Sequence, residues 1–226
     1  LIENADNSYL EKYNNNYFLF LLTGMTTILF ISRTFSSIPL SISSAQTLGY
    51  FENLVTTKTN IFIILLSNGF FSFTRAIIRI ALIYFFALLL SSENLSFLKL
   101  AELFLLLIFS SLPFVGVAFL FTSLLIVYKK ANFFNSLFLI GCTIFSGAIY
   151  PTDVMPNWLS FFSYIFPTTF SLEIIRGRII EEISYENFYF EIGMLSFMSL
   201  VFIYSGMQAI KFSINKAKQD GSISHF

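Results

Sequence analysis

Five runs of apolar residues, each about long enough to cross a bilayer, leave this chain few folds to choose from. A hydrocarbon core of about 30 Å needs roughly 20 apolar residues in a helix. The runs cover residues 17–37, 70–90 (preceded by an apolar stretch, 61–66), 100–127, 133–150 and 190–212. Inside lipid every backbone N–H and C=O must find a partner within the protein. The predicted class is therefore all-α: a polytopic membrane helical bundle forming one domain over residues 1–226. Composition agrees, since 56% of residues are hydrophobic and 12% charged, about half the charge of a soluble domain. Pro113 and Gly116 fall inside the third run and predict a kink there.

Between the last two runs lies SGAIYPTDVMPNWLSFFSYIFPTTFSLEIIRGR, residues 146–178. Pro151, Pro156 and Pro167 each remove a backbone donor, so a straight membrane helix through them is costly. Trp158, Phe161, Phe162, Tyr164, Phe166 and Phe170 would waste apolar surface in a water-exposed loop. Short re-entrant or interfacial helices before the last span satisfy both constraints, with Trp and Tyr at headgroup depth.

Basic residues set orientation. With the N-terminal end outside, the inner sections hold Arg33, Lys58, Arg75, Arg79, Lys129, Lys130, Lys211, Lys216 and Lys218, and the outer sections only Lys12, Lys99, Arg176 and Arg178. Of the acids, Glu52 and Asp220 fall inside and the rest outside. The expected topology is N-terminal end out and C-terminus in. The first residues, LIENADNSYLEKYNNN, are polar and acidic and do not read as a signal peptide. The expectation is a further span upstream, which makes these five of six and the chain a fragment.

Several motifs carry two readings each. Residues 44–60 combine Ser, Thr and Gln with the apolar pattern Leu48, Phe51, Leu54, Val55. This predicts a short amphipathic cytoplasmic helix, seated either in a partner's cleft or on lipid. Arg75 and Arg79 stand at i, i+4 on one helical face. They read as snorkelling anchors near a span end or as contacts for a lipid phosphate or an anionic substrate headgroup. Glu173 and Arg176 at i, i+3 read as an exposed local ion pair, contributing under about 1 kcal/mol, or as substrate contacts. The tail, residues 211–226, adds Lys211, Lys216 and Lys218 next to a span, a cytoplasmic orientation signal.

Catalytic patterns are missing from the sequence. There is no GxxxxGK[ST] loop to cradle ATP phosphates. Cys142 is the only cysteine and His225 the only histidine, so neither a disulfide framework nor a His/Cys metal cluster is expected. The apolar runs carry almost no acids, whereas ion-coupled carriers keep ionisable groups at mid-membrane depth. Energy for any transport then comes from elsewhere. A membrane-embedded enzyme or an assembly factor without transport activity is the alternative, and no nucleic-acid partner is expected.

Three places carry a family resemblance. Thr47-Leu48-Gly49-Tyr50-Phe51-Glu52-Asn53-Leu54-Val55 resembles the coupling-helix segment of type-2 ABC exporter permeases, with Thr56-Thr57 where that family has a proline-containing pair. Gly69 through Arg79 is similar to the Gly and Arg positions that open the family's next span. Ser146-Gly147, Pro151, Pro156-Asn157-Trp158-Leu159, Pro167-Thr168-Thr169, Glu173 and Arg176 follow the order of its signature before the last span. Met155 and Phe166 replace the usual Leu and Asn. The drug-resistance and Nod-factor branch, with homologues in cyanobacteria and algal plastids, looks closest.

The resemblance implies six spans and a permease that is not itself an enzyme. It implies a second permease, most simply an identical copy, and two ATPase subunits that carry ATP and Mg, with no cofactor on this chain. Gln46, Thr47, Gly49, Phe51, Glu52 and Leu54 would form the coupling helix, and Arg75 and Arg79 an inner gate. Gly147, Pro151, Pro156, Trp158, Pro167, Glu173 and Arg176, within residues 146–188, would form an outer gate. The membrane would be a bacterial inner membrane or a plastid membrane, and the cargo an amphipathic drug, lipid or glycan.

Overall fold

The computed structural model describes residues 17–90, 96–128, 132–150, 155–156, 161–181 and 185–219, and every regular element among them is helical. In chain order these are α1 (Tyr17–Thr47), α2 (Phe51–Thr56), α3 (Ile61–Leu90), α4 (Phe97–Tyr128), α5 (Asn132–Phe145), α6 (Pro167–Arg176) and α7 (Tyr185–Gln219). A π-helical turn, Gly177–Glu181, continues α6. Four of these helices are long and apolar enough to cross a membrane: α1, α3, α4 and residues Phe188–Gln219 of α7. At 1.5 Å per residue they run about 45–48 Å, so each exceeds the hydrocarbon thickness.

The run at 133–150 falls short of its expected span. Its helix, α5, has 14 residues and measures about 21 Å. It stops because Gly147 turns the chain at φ +74°, a conformation that costs glycine little and other residues more. The five full-length spans expected are therefore four, plus this shorter helix.

Two helices are longer than their apolar runs. α1 continues through SIPLSISSAQT to Thr47 with Pro39 inside it. The hydroxyls there donate to carbonyls of their own helix: Ser41 Oγ to Ile38 O (2.7 Å), Ser44 Oγ to Leu40 O (2.8 Å) and Thr47 Oγ1 to Ser43 O (2.9 Å). Polar side chains satisfied in this way do not end a helix. In α3 the apolar stretch 61–66 joins the next run without a break.

The bundle centres on α4, which packs most extensively against α7 and then against α1; α3 packs on α1. The α4–α7 crossing is glycine to glycine. A Cβ on Gly116 would lie 2.3 Å from the Phe202 carbonyl carbon, and one on Gly206 2.5 Å from Gly116 O. Small residues let membrane helices approach backbone to backbone. Gly116 thus serves as a packing contact, a role the sequence reading did not give it.

The core divides by level. Towards the α2 end, Phe35, Ile38, Ile42, Phe51, Leu65, Phe119, Ile126 and Ile210 pack together. Towards the opposite end, Phe30, Ala76, Ile80, Tyr84, Leu103 and Leu107 enclose Ile175 and Ile179, while Phe170 and Ile174 meet Leu195. Much of α3 and α7 stays uncovered, with Phe70, Phe71, Phe85, Leu89, Phe197 and Leu200 exposed.

Candidate functional site

The short helix α2 hangs from α1 by a tight joint. Tyr50 N–H donates to Ala45 O (3.0 Å) and Gly49 N–H to Gln46 O (3.2 Å), and Gly49 has φ +76°. That pair of bonds around a left-handed glycine is a Schellman cap. It ends α1 at Thr47 and sends the chain into α2. Phe51 is 1% exposed and holds α2 against the core with Leu54 and Val55; burying such a ring contributes about 1.5–3 kcal/mol.

The opposite face of α2 presents Glu52, Asn53 and Thr56, all exposed. Asn60 Oδ1 accepts from Phe62 N–H (3.1 Å) at the start of α3. The helical part of the 44–60 segment is thus divided. Residues up to Thr47 extend α1, with Gln46 buried, and only six residues form α2. Leu48, expected on the apolar face, is 73% exposed.

At the other end of the bundle, the segment after Gly147 folds back along α5. Phe166 reaches down to Phe138 (ring centroids 5.9 Å) and stacks on Phe145 (5.5 Å). Phe138 in turn meets Phe35 and Phe121, at 5.1 and 5.3 Å, near the middle of α1 and in the last quarter of α4. Gly141 leaves room for the Phe166 ring, which would stand 3.2 Å from a Cβ there.

Pro167 then opens α6 at its first turn, where its missing N–H costs nothing. Thr169 Oγ1 donates to Ser163 O (2.6 Å) and closes the bend. The FPTT motif is therefore a buried turn: Pro167, Thr168 and Thr169 all lie inside. The aromatics of this segment split, with Phe166 and Phe170 facing inward and Phe161, Phe162 and Tyr164 outward.

From that turn α6 leads to Arg176, which the sequence reading placed in an exposed ion pair. It is 5% exposed. Nη1 donates to Gly147 O (2.8 Å), and Nη2 donates to Ala148 O (2.9 Å) and Phe20 O (3.2 Å). The guanidinium lies 3.6 Å from the Phe20 ring centroid. One fork thus joins α1, the turn after α5, and α6. Gly24 permits it, since a Cβ there would sit 2.1 Å from Ala148 O and 2.6 Å from Arg176 Nη2. Glu173, one turn earlier, is half-buried. Arg178 then pairs with Glu102 at the start of α4 (2.5 Å) and lies over the Phe188 ring of α7.

The remaining expected residues scatter. Arg75 and Arg79 are exposed on α3 and line a groove with Arg33 of α1. Pro156 is exposed. Pro151 and Trp158 lie outside the described residues.

A family model described as the ABC-2 type transporter membrane domain matches residues 4–180, most of the chain. The chain belongs to the ABC-2 type transporter family. It is a membrane permease domain and not itself the ATPase, and ABC-2 permeases generally pair with ABC ATPases. No curated protein matches the chain. The match spans α1 to α6, so it contains both the α2 joint and the Arg176 junction of this ABC-2 permease.

Phe20, Gly24, Gly206 and the Glu102–Arg178 pair escaped sequence reasoning. Their partners lie far away along the chain, and a glycine in an apolar run looks the same whether or not a backbone crosses it. Only the resemblance, through Gly147 and Arg176, pointed to part of this junction.

Proposed function

We propose that this permease is the transmembrane subunit of an ATP-driven exporter, with α2 in the cytosol as its coupling helix. The observation that carries this reading is the construction of α2. A six-residue helix with an exposed acid on one face is fixed by Phe51 to the core and by a glycine cap to a membrane-crossing helix. A push on the Glu52 face is then delivered to α1 and the core instead of being lost in a loose loop. ATP and Mg act on the partner ATPase, and closure of two ATPases moves α2.

In this reading the Arg176 end of the bundle is the outer face, and α5 with the folded-back segment forms a short, re-entrant fifth crossing. Gly147, Pro151, Pro156, Trp158, Pro167, Glu173 and Arg176 belong to the outer gate, with their aromatics sealing the seam against a second permease. Exposed apolar α3 and α7 supply surface for lipid and for that second copy. Arg75 and Arg79 form the inner gate, where an amphipathic or lipid-like cargo is admitted.

The test is Glu52→Arg or Leu54→Pro in the assembled transporter. Both variants are expected to reach the membrane and to lose export while the ATPase still hydrolyses ATP. Export at the normal rate, with normal ATPase affinity, would remove α2 as the coupling element.

A further inference from the structure

The five arginines of the chain divide into two kinds. Arg176 donates to three carbonyls within the protein, and Arg178 pairs with Glu102. Arg33, Arg75 and Arg79 are all exposed and converge from α1 and α3 on one groove, together with Ser36, Ser37 and Ser72. Among the described residues no carboxylate lines that groove. Among the described residues, Arg75 has only a 3.4 Å contact to Ser72 Oγ and the face of Phe71 at 4.5 Å.

Their place along the helices is the second observation. Arg33 stands about 14 residues before the end of α1, and Arg75 about 14 residues after the start of α3. At 1.5 Å per residue each lies about 21 Å from its helix end. They stand mid-helix in elements longer than the hydrocarbon core is thick, away from the helix ends. Simple orientation signals belong at helix ends, as Lys58 and Lys216 do. Three like charges gathered on one groove repel one another unless an anion joins them.

The third observation is what lies beside the groove. Arg75 and Arg79 also bound an apolar recess formed by Ile78, Leu82, Ile83 and Phe86. It runs along α3 away from the α2 end, for about 10 Å from Arg79 to Phe86. With α2 in the cytosol, that is the direction in which an inner-leaflet lipid points its chains. Guanidinium forks and serine hydroxyls match the several acceptor oxygens of a phosphate, and basic pockets between membrane helices on the cytoplasmic side take anionic headgroups.

We propose that Arg33, Arg75 and Arg79 form a binding site for the phosphate of an anionic lipid, whose acyl chain lies along Ile78, Leu82 and Phe86. This rests on the orientation given under the proposed function and deepens its inner gate: Arg33, on a different helix, completes the site.

The full-length protein, purified in neutral detergent, is titrated with dioleoyl phosphatidylglycerol, and bound lipid is counted by native mass spectrometry. The triple variant Arg33→Gln, Arg75→Gln, Arg79→Gln is expected to bind at least tenfold more weakly. Lys211→Gln, Lys216→Gln, Lys218→Gln should change binding less than twofold. If the triple variant does not fold, Arg33→Gln alone should weaken binding about threefold, with Arg33→Lys recovering part of it.

Equal binding by wild type and the arginine variants would overturn the site. So would displacement of the lipid by inorganic phosphate at similar concentration, which would assign the groove to a free anion. The measurement needs neither ATP nor the ATPase. A negative result therefore removes the lipid site and leaves the coupling role of α2 to stand or fall on Glu52→Arg.

Discussion

Arg176 is accommodated within an apolar bundle because Nη1 and Nη2 meet three carbonyls and its flat face covers Phe20. Hydrogen bonds to a charged group each contribute about 1.5–3 kcal/mol, and a lysine at this position has no planar fork to span the same carbonyls. Arg176→Lys and Arg176→Met are both expected to lower the midpoint of thermal unfolding in detergent by several degrees, with Met the worse. Gly24→Ala should do nearly as much from the other side, since its Cβ would meet backbone at 2.1 Å and overpacking costs about 1–3 kcal/mol. An unchanged midpoint in Gly24→Ala would mean that this junction is not a tight contact. By contrast Glu102–Arg178, with both side chains about one-third exposed, contributes under about 1 kcal/mol.

At the level of elements, α2 depends on one dihedral. Gly49 at φ +76° has open space around it, so a substitution there acts through backbone strain alone, about 1–2 kcal/mol for a residue with a side chain. Gly49→Val is expected to leave the bundle folded while loosening the joint between α1 and α2. Substrate-stimulated ATP hydrolysis should fall, with thermal stability changing by about 1–2 kcal/mol or less. Full stimulation in this variant would show that the cap does not transmit movement.

Helix identity was legible in the apolar runs, because a long apolar period has few other solutions in lipid. Helix ends were not. Ser41, Ser44 and Thr47 look like loop residues, yet they bond back to their own helix and prolong α1 by about 10 residues beyond the run. The opposite error occurred at α5, where apolar residues continue to Tyr150 but the helix stops at Phe145 because Gly147 turns. The FPTT segment read as interfacial from its aromatics; its depth depended on Phe138 and Gly141, whose contact with Phe166 no local pattern announces.

For the whole molecule, the question is which end faces the cytosol, and the charges bear on it. Lys58 lies at the α2 end, Arg33, Arg75 and Arg79 stand mid-helix in α1 and α3, and Glu102, Glu173 and Glu191 lie towards the opposite end. The orientation proposed above rests on the bias of basic residues in the sequence, and it is open to a direct check. The single native cysteine, Cys142, is buried. Pro156→Cys is expected to react with an impermeant maleimide applied to intact cells, and Lys216→Cys only after permeabilisation; the reverse pattern would invert the proposed direction of transport.

The glycine crossing of α4 and α7 bears on what such a molecule is able to do when it moves. Two backbones in direct contact have no flexible side chains between them to absorb sliding. A shift of one helical turn would drive Phe119 or Phe202 into a slot that does not admit even a methyl group. In the proposed mechanism α4 and α7 are then the stator. The travel proposed for α1 and α3, which carry α2 between them, would occur against this fixed pair, with the largely uncovered α3 the looser of the two.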